Sequence, residues 1–147
     1  MKKIFIAFLL FSVTAFSQQN YNIKKGFIAN GYDIVSYFEG KPEKGSKKFT
    51  TVFDGVKFKF SSAKNLNLFI KHPKKYIPQF GGYCAYAIGK SGDKVSVNPK
   101  TFEIREGKLY LFYNAWGTNT LELWIKEGAN QLKQQAELNW KKLQKEK

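Results

Sequence analysis

The 147-residue chain carries 25 lysines and arginines against 11 acids, a formal net charge of +14, with 14 phenylalanines, eight tyrosines, three tryptophans and one cysteine. That length is one ordinary domain with a core of its own, and no repeat, low-complexity stretch or second domain is visible. A single cysteine excludes an internal disulfide, so aromatic packing has to hold the fold.

Residues 1–17 read as a signal peptide. Lys2 and Lys3 precede an apolar run over 4–16, broken only by Ser12 and Thr14, and Ala15 and Ser17 supply small residues for cleavage. The run is shorter than the roughly 20 residues a spanning helix needs. Cleavage there predicts an exported product, periplasmic or secreted, that is not transmembrane. Taking 17 residues from 147 leaves 130, and taking two lysines from +14 leaves +12.

Residues 18–147 are then a single domain with a C-terminal helical extension. Residues 18–25 are polar and read as a loose start. In 27–38, Asp33 either caps a short helix that turns Val35 or Tyr37 inward, or the run is a strand. Residues 39–46, with two glycines and a proline, are a loop.

The alternation of Val56, Phe58 and Phe60 with Lys57 and Lys59 predicts a half-buried strand. Asp54-Gly55 is a preferred two-residue hairpin turn. It sets a register of Phe53 with Val56, Thr51 with Phe58 and Phe49 with Phe60. Ser61 and Ser62 are candidate N-caps for a helix over 62–71, with Ala63, Leu66, Phe69 and Ile70 as its apolar stripe. Pro73 pushes His72 away from helical geometry and ends it.

Residues 89–99 read as a loop. Residues 101–113 repeat the hairpin pattern around Glu106-Gly107, pairing Ile104 with Leu109 and Phe102 with Leu111. Both hairpins are expected in one antiparallel sheet, with Lys57, Lys59, Glu103 and Arg105 on its outer face. After Asn114 the chain turns helical. Leu121, Trp124 and Ile125 form one stripe stopped near Gly128, and Ala129, Leu132, Ala136, Trp140 and Leu143 form another. The predicted fold class is α+β: a small antiparallel sheet of two hairpins, a crossing helix and two C-terminal helices.

The lysines are dispersed as pairs, and the sole arginine is Arg105. Phosphate-reading sites favour arginine forks. The charge therefore reads as a solvated surface with weak, salt-dependent attraction to anionic polymers or lipid surfaces, without specific nucleic-acid binding.

Cys84 can be a buried core residue, a metal or redox ligand, or a nucleophile. Activation needs a cation, an imidazole or a helix N-terminus, and its neighbours are tyrosines and alanines. His72, the only histidine, can cap a helix or join Cys84 as a metal ligand. As the only base, it leaves no serine triad to nominate, and Gly81-Gly82 lacks the lysine and serine of a phosphate loop. Tyr32, Asp33, Tyr37, Tyr83 and Tyr86 could line one cleft with Cys84, or could be core.

Gly31-Tyr32-Asp33, Val35-Ser36-Tyr37-Phe38, Gly40-Lys41-Pro42 and Lys44-Gly45-Ser46 form a lead. The core set is Phe58, Phe60-Ser61-Ser62, Asn65, Phe69, Pro73, Lys75-Tyr76, Pro78-Gln79 and 81–87. Further matches are 107–111 and Asn139-Trp140. This pattern resembles the YHS domain family, in its exported bacterial branch. The resemblance implies a small α+β domain, metal binding in some members and no general enzymatic activity. Metal-suspected members read F-C-S-x-x-C-x-x-x-F where this chain has Phe60, Ser61, Ser62, Asn65 and Phe69, so both thiols are replaced. Copper and zinc select soft ligands, and no cofactor is predicted.

The expectation is an exported, non-enzymatic binding module for an unknown small ligand or envelope protein. The alternatives are a copper- or zinc-handling protein using Cys84, with His72 as a lesser ligand, and a thiol-dependent enzyme.

Overall fold

The structure, a computed structural model, describes residues 20–146. The signal segment expected over 1–17 lies outside them. The fold is α+β.

Strands β1 (Ile23–Lys24), β2 (Phe27–Ile28), β3 (Ser46–Phe53) and β4 (Val56–Phe60) form one sheet in the order β1-β2-β4-β3. The β3–β4 hairpin turns at Asp54-Gly55, with φ of 51° and 73°, the mirror-image turn that matches strand twist. Phe53 pairs with Val56 and Thr51 with Phe58, as expected. A bulge then breaks the register, so Phe60 faces Ser46 rather than Phe49. Phe49 still packs on the core from within the bulge.

The sheet is also mixed rather than antiparallel. β2 runs parallel to β4 through Phe27 and Lys57, a pairing that joins the polar start to the core.

Helix α1 (Ala63–Lys71) begins where Ser62 accepts the Asn65 backbone N–H at 3.1 Å. Its buried face differs from the expected stripe: Asn65 and Phe69 are inside, Ala63 is exposed and Ile70 is 57% exposed. The Phe69 ring sits 4.7 Å from Phe58 and 5.1 Å from Phe60. This wedge fixes the helix across the sheet. A short helix α2 (Pro73–Tyr76) follows.

Helix α3 (Ala85–Lys90) replaces the start of the loop expected over 89–99. Gly89 belongs to this helix because it is a contact, not a turn: a Cβ there would lie 2.7 Å from the Leu132 carbonyl oxygen. Only glycine lets the two helix backbones approach that closely.

Strands β5 (Asn98–Arg105) and β6 (Lys108–Phe112) form the second hairpin, with Ile104 opposite Leu109 and Phe102 opposite Leu111, as expected. It forms a separate two-stranded sheet, so the single sheet of two hairpins is not formed. The outward face expected for Glu103 is covered. Glu103 accepts the Trp124 indole N–H at 2.9 Å and pairs with Arg105 at 2.8 Å.

A third hairpin, β7 (Asn114–Ala115) and β8 (Thr118–Asn119), precedes the helical part, with Trp116 97% exposed at its tip. Helices α4 (Thr120–Glu127) and α5 (Ala129–Lys145) then break at Gly128, where φ is 107°. Trp124 is fully buried on α4, whereas Ile125, expected beside it, is 60% exposed.

β6 explains why one chain builds two packed layers. Period-two alternation sends Leu109 and Leu111 to the cluster under α1 and the four-stranded sheet. It sends Tyr110 and Phe112 to the cluster of Phe80, Ile88, Trp124 and Ala136. The strand is buried on both faces and serves both layers.

Candidate functional site

Three places bear on chemistry: the Asp33 knot, Cys84, and a groove at the open edge of the second layer.

Asp33 is fully buried, and its carboxylate collects five hydrogen bonds. Oδ1 accepts from the backbone of Val35 at 2.9 Å and Ser36 at 3.3 Å. Oδ2 accepts from Ser61 N at 2.8 Å, Ser61 Oγ at 2.6 Å and Asn65 Nδ2 at 2.7 Å. The run forms a short helical turn over Ser36–Glu39 and not a strand; its N-cap position is Val35, and Asp33 holds the backbone at its start through Val35 and Ser36. Ser61 and Asn65, the positions where the resembled pattern carries cysteines, are thus both committed to this carboxylate. Their donors are spent on Asp33, and the hydroxyl and amide they present are hard groups, not the soft thiolates that select copper(I) or zinc.

Cys84 is fully buried. Its sulfur lies 3.2 Å from Thr120 Oγ1 and receives the Tyr113 backbone N–H at 3.4 Å. Thr120 in turn donates to the Tyr113 carbonyl oxygen at 2.8 Å. The thiol thus ties α3, β6 and α4 together. His72 does not approach this arrangement. It is exposed between α1 and α2, where its backbone N–H donates to Leu68 and Phe69 but its side chain makes no capping bond to α2. Among the described residues, no three His, Cys, Asp or Glu side chains gather into a cation-holding set. The donors around Cys84 are a hydroxyl and a backbone amide, which do not fit copper or zinc.

Nor does a cleft unite the tyrosines with Cys84. Tyr37 is fully buried, its hydroxyl donating to the Pro99 carbonyl oxygen. Burial drives its pKa well above the ordinary tyrosine value, with Tyr32 and Asp33 adding to the effect. Tyr32 is buried as well. Tyr83 donates to the Tyr21 carbonyl oxygen at 3.2 Å, and burial raises its pKa. Tyr86 donates to Glu127 at 3.0 Å. Lys90 bonds the same carboxylate at 2.7 Å, and the two donors hold Glu127 below the usual carboxylate range.

An accessible concavity among the described residues lies elsewhere. A groove of about 590 Å³ runs between residues 77–81, the first described residues and α5. Phe80 and Trp140 form its aromatic wall, with ring centroids 6.2 Å apart at 67°. Tyr21, Lys74, Lys108 and Lys141 line it as well, with Asp54 and Glu137 supplying negative charge.

Its floor is conformationally demanding. Phe80 sits at φ 54°, ψ 39°, a left-handed geometry that costs an L-residue about 1–2 kcal/mol. Gly81 follows at φ 60°, where a Cβ would lie 1.8 Å from the Asn20 carbonyl oxygen. The neighbouring chain holds this shape. Asn22 N donates to the Gly81 carbonyl oxygen at 2.8 Å, and its side chain donates to Gly82 at 3.1 Å. The start expected to be loose is therefore bound down from Asn20 onward. Tyr21 donates to Asp54 at 2.9 Å and so fastens the groove to the β3–β4 turn.

Sequence reasoning missed Tyr21, Phe80 and Trp140 as a set, because they lie almost the whole chain apart. The visible signal was an aromatic residue directly before two glycines.

Together the fold and site define a small α+β protein with a sealed thiol, a buried carboxylate knot and an open aromatic groove. Comparison with family models, curated proteins and solved structures finds no match.

Proposed function

We propose that this chain is an exported, non-enzymatic binding module of the YHS type, and that its ligand occupies the groove walled by Phe80 and Trp140. The observation that carries this reading is the separation of reactivity from access. The chain's one thiol is fully buried and bonded to Thr120, whereas the groove is lined by aromatic, amide and charged side chains without Cys84 or His72. Cys84 sits at the N-cap of α3, an activating position, but a nucleophile also needs an approach path, and the sulfur is fully buried. A binding site needs an apolar wall and a few polar groups, and a volume of several hundred Å³ suits it.

The knot at Asp33 supports the YHS assignment in a modified form. The strand-to-helix junction keeps Phe60, Ser62 and Phe69 of the pattern, while Ser61 and Asn65 serve a structural carboxylate.

Thiol labelling of the native protein tests the reading. Cys84 is expected to react with a maleimide only as fast as the protein opens, and stoichiometrically in denaturant. Rapid labelling of the folded chain would shift the assignment to a thiol-dependent enzyme. Export is tested separately, by locating the full-length chain and sequencing its mature N-terminus, with Gln18 expected first.

A further inference from the structure

We propose that the groove takes an acidic oligosaccharide, a short run of sugar rings bearing carboxylates; this rests on the groove being the binding site. The accessible ring of the wall is Trp140, half-buried and backed by Phe80, which is only 6% exposed, and by Tyr83 at 6.2 Å. A pyranose presents a C–H face with partial positive charge, which suits the negative face of an aromatic ring.

Around that wall stand groups of the kind sugar hydroxyls need. The Gln79 amide both donates and accepts, and the Glu137 carboxylate accepts. Lys74, Lys108 and Lys141 are all exposed on the groove lining. Three ammonium groups on flexible stems along one lining supply counter-charges for carboxylates carried on successive rings.

The same cations would meet a phosphate only as point charges, without a bidentate fork. Bidentate phosphate recognition uses arginine. Arg105, the sole arginine, is held by both carboxylate oxygens of Glu103 and by Asn130. The three lysines outnumber the two carboxylates of the lining, Asp54 and Glu137, which favours an anionic ligand over a neutral sugar.

Titration of the isotope-labelled mature chain with trigalacturonate, galactotriose and adenosine monophosphate, followed by NMR, tests this. Trigalacturonate is expected to bind saturably and to shift the Trp140 indole N–H, the Gln79 side-chain amide and the Phe80 amide. Galactotriose should bind at least about tenfold more weakly at the same signals. The double variant Lys74→Glu, Lys141→Glu, both exposed and therefore compatible with folding, should weaken trigalacturonate about tenfold while leaving the rest of the spectrum unchanged.

Equal binding by the charge-reversed variant overturns the proposal. So do shifts scattered over other lysine faces, such as Lys47 and Lys48. Groove shifts with the nucleotide but not with trigalacturonate overturn the ligand class and leave the binding module standing. A groove that responds to none of the three, nor to a diverse fragment set, overturns both.

Discussion

Asn65 donates its side-chain amide to Asp33 Oδ2 at 2.7 Å, joining the first turn of α1 to a loop 32 residues earlier. Among the described residues, the donors that carboxylate accepts from are neutral: backbone amides, a hydroxyl and a side-chain amide. Its burial is compensated by hydrogen bonds alone, which requires every donor to be in place.

Asp33→Asn keeps the shape of the side chain but turns an NH₂ group toward donors. Whichever way the amide lies, it faces either the Val35 and Ser36 amides or the Ser61 and Asn65 groups. A loss of roughly 2–4 kcal/mol is expected, read from the urea midpoint, because donor–donor contacts leave buried groups unsatisfied. A change below about 0.5 kcal/mol, the scale of ordinary surface substitutions, would contradict the knot's role.

Ser61 Oγ and Asn65 Nδ2 both reach one oxygen, at 2.6 and 2.7 Å. Thiols at those positions would converge on the same point, with the Asp33 carboxylate as a third ligand. The double variant Ser61→Cys, Asn65→Cys is expected to bind one zinc ion per chain and to gain thermal stability with zinc, since three protein ligands suffice for an open zinc site. Metal analysis of the parent after growth with copper and with zinc is expected to give no stoichiometric metal, and Cys84→Ser to match it. Metal in the parent that disappears in Cys84→Ser would restore the metal-handling assignment.

Gly89→Ala sets two effects against each other. Alanine is favoured over glycine inside a helix by about 1 kcal/mol. Against that, the new Cβ would meet the Leu132 carbonyl oxygen at 2.7 Å, and backbone cannot swing aside as a side chain can. The contact outweighs the propensity, so a net loss of about 1–3 kcal/mol is expected from denaturant unfolding. A stabilised variant would mean that α3 and α5 separate at little cost.

Alkaline pH should loosen the second layer. Burial pushes the Tyr110 hydroxyl from the ordinary 10.0 up to about 12. Below pH 10 this tyrosine is protonated in both folded and unfolded chains, and its contribution is fully present. Between pH 10 and about 12 the unfolded chain loses the proton first, so stability falls as pH rises. Tyr21 and Tyr83 are raised in the same direction by burial. Urea midpoints measured across this range should decline, and Tyr110→Phe should decline less steeply than the parent.

Local signals made much of the architecture legible. Asp54-Gly55 and Glu106-Gly107 gave both main hairpins, because that turn geometry is encoded in two adjacent residues. Ser62 and Gly128 marked helix boundaries for equally local reasons.

What failed was non-local. The bulge that separates Phe49 from Phe60 lies just after Gly45, where a Cβ would meet the Lys59 backbone at 2.7 Å, a contact with a residue distant in sequence. Gly89 looked like a loop glycine because its reason lies on α5. Asp33 and Cys84 looked like cleft residues because their partners, Ser61 and Asn65 for one and Thr120 for the other, are distant in sequence. The groove was invisible for the same reason.

Asn20 and Tyr21 form one bank of the groove, and Trp140 and Lys141 the other. The chain is made from its N-terminus onward, so the first bank exists long before its counterpart leaves the ribosome. The β3–β4 and β5–β6 hairpins, being local, can form while synthesis continues. The groove cannot. The groove is therefore the last feature the polypeptide acquires, and a product truncated before α5 would lack one of its two banks.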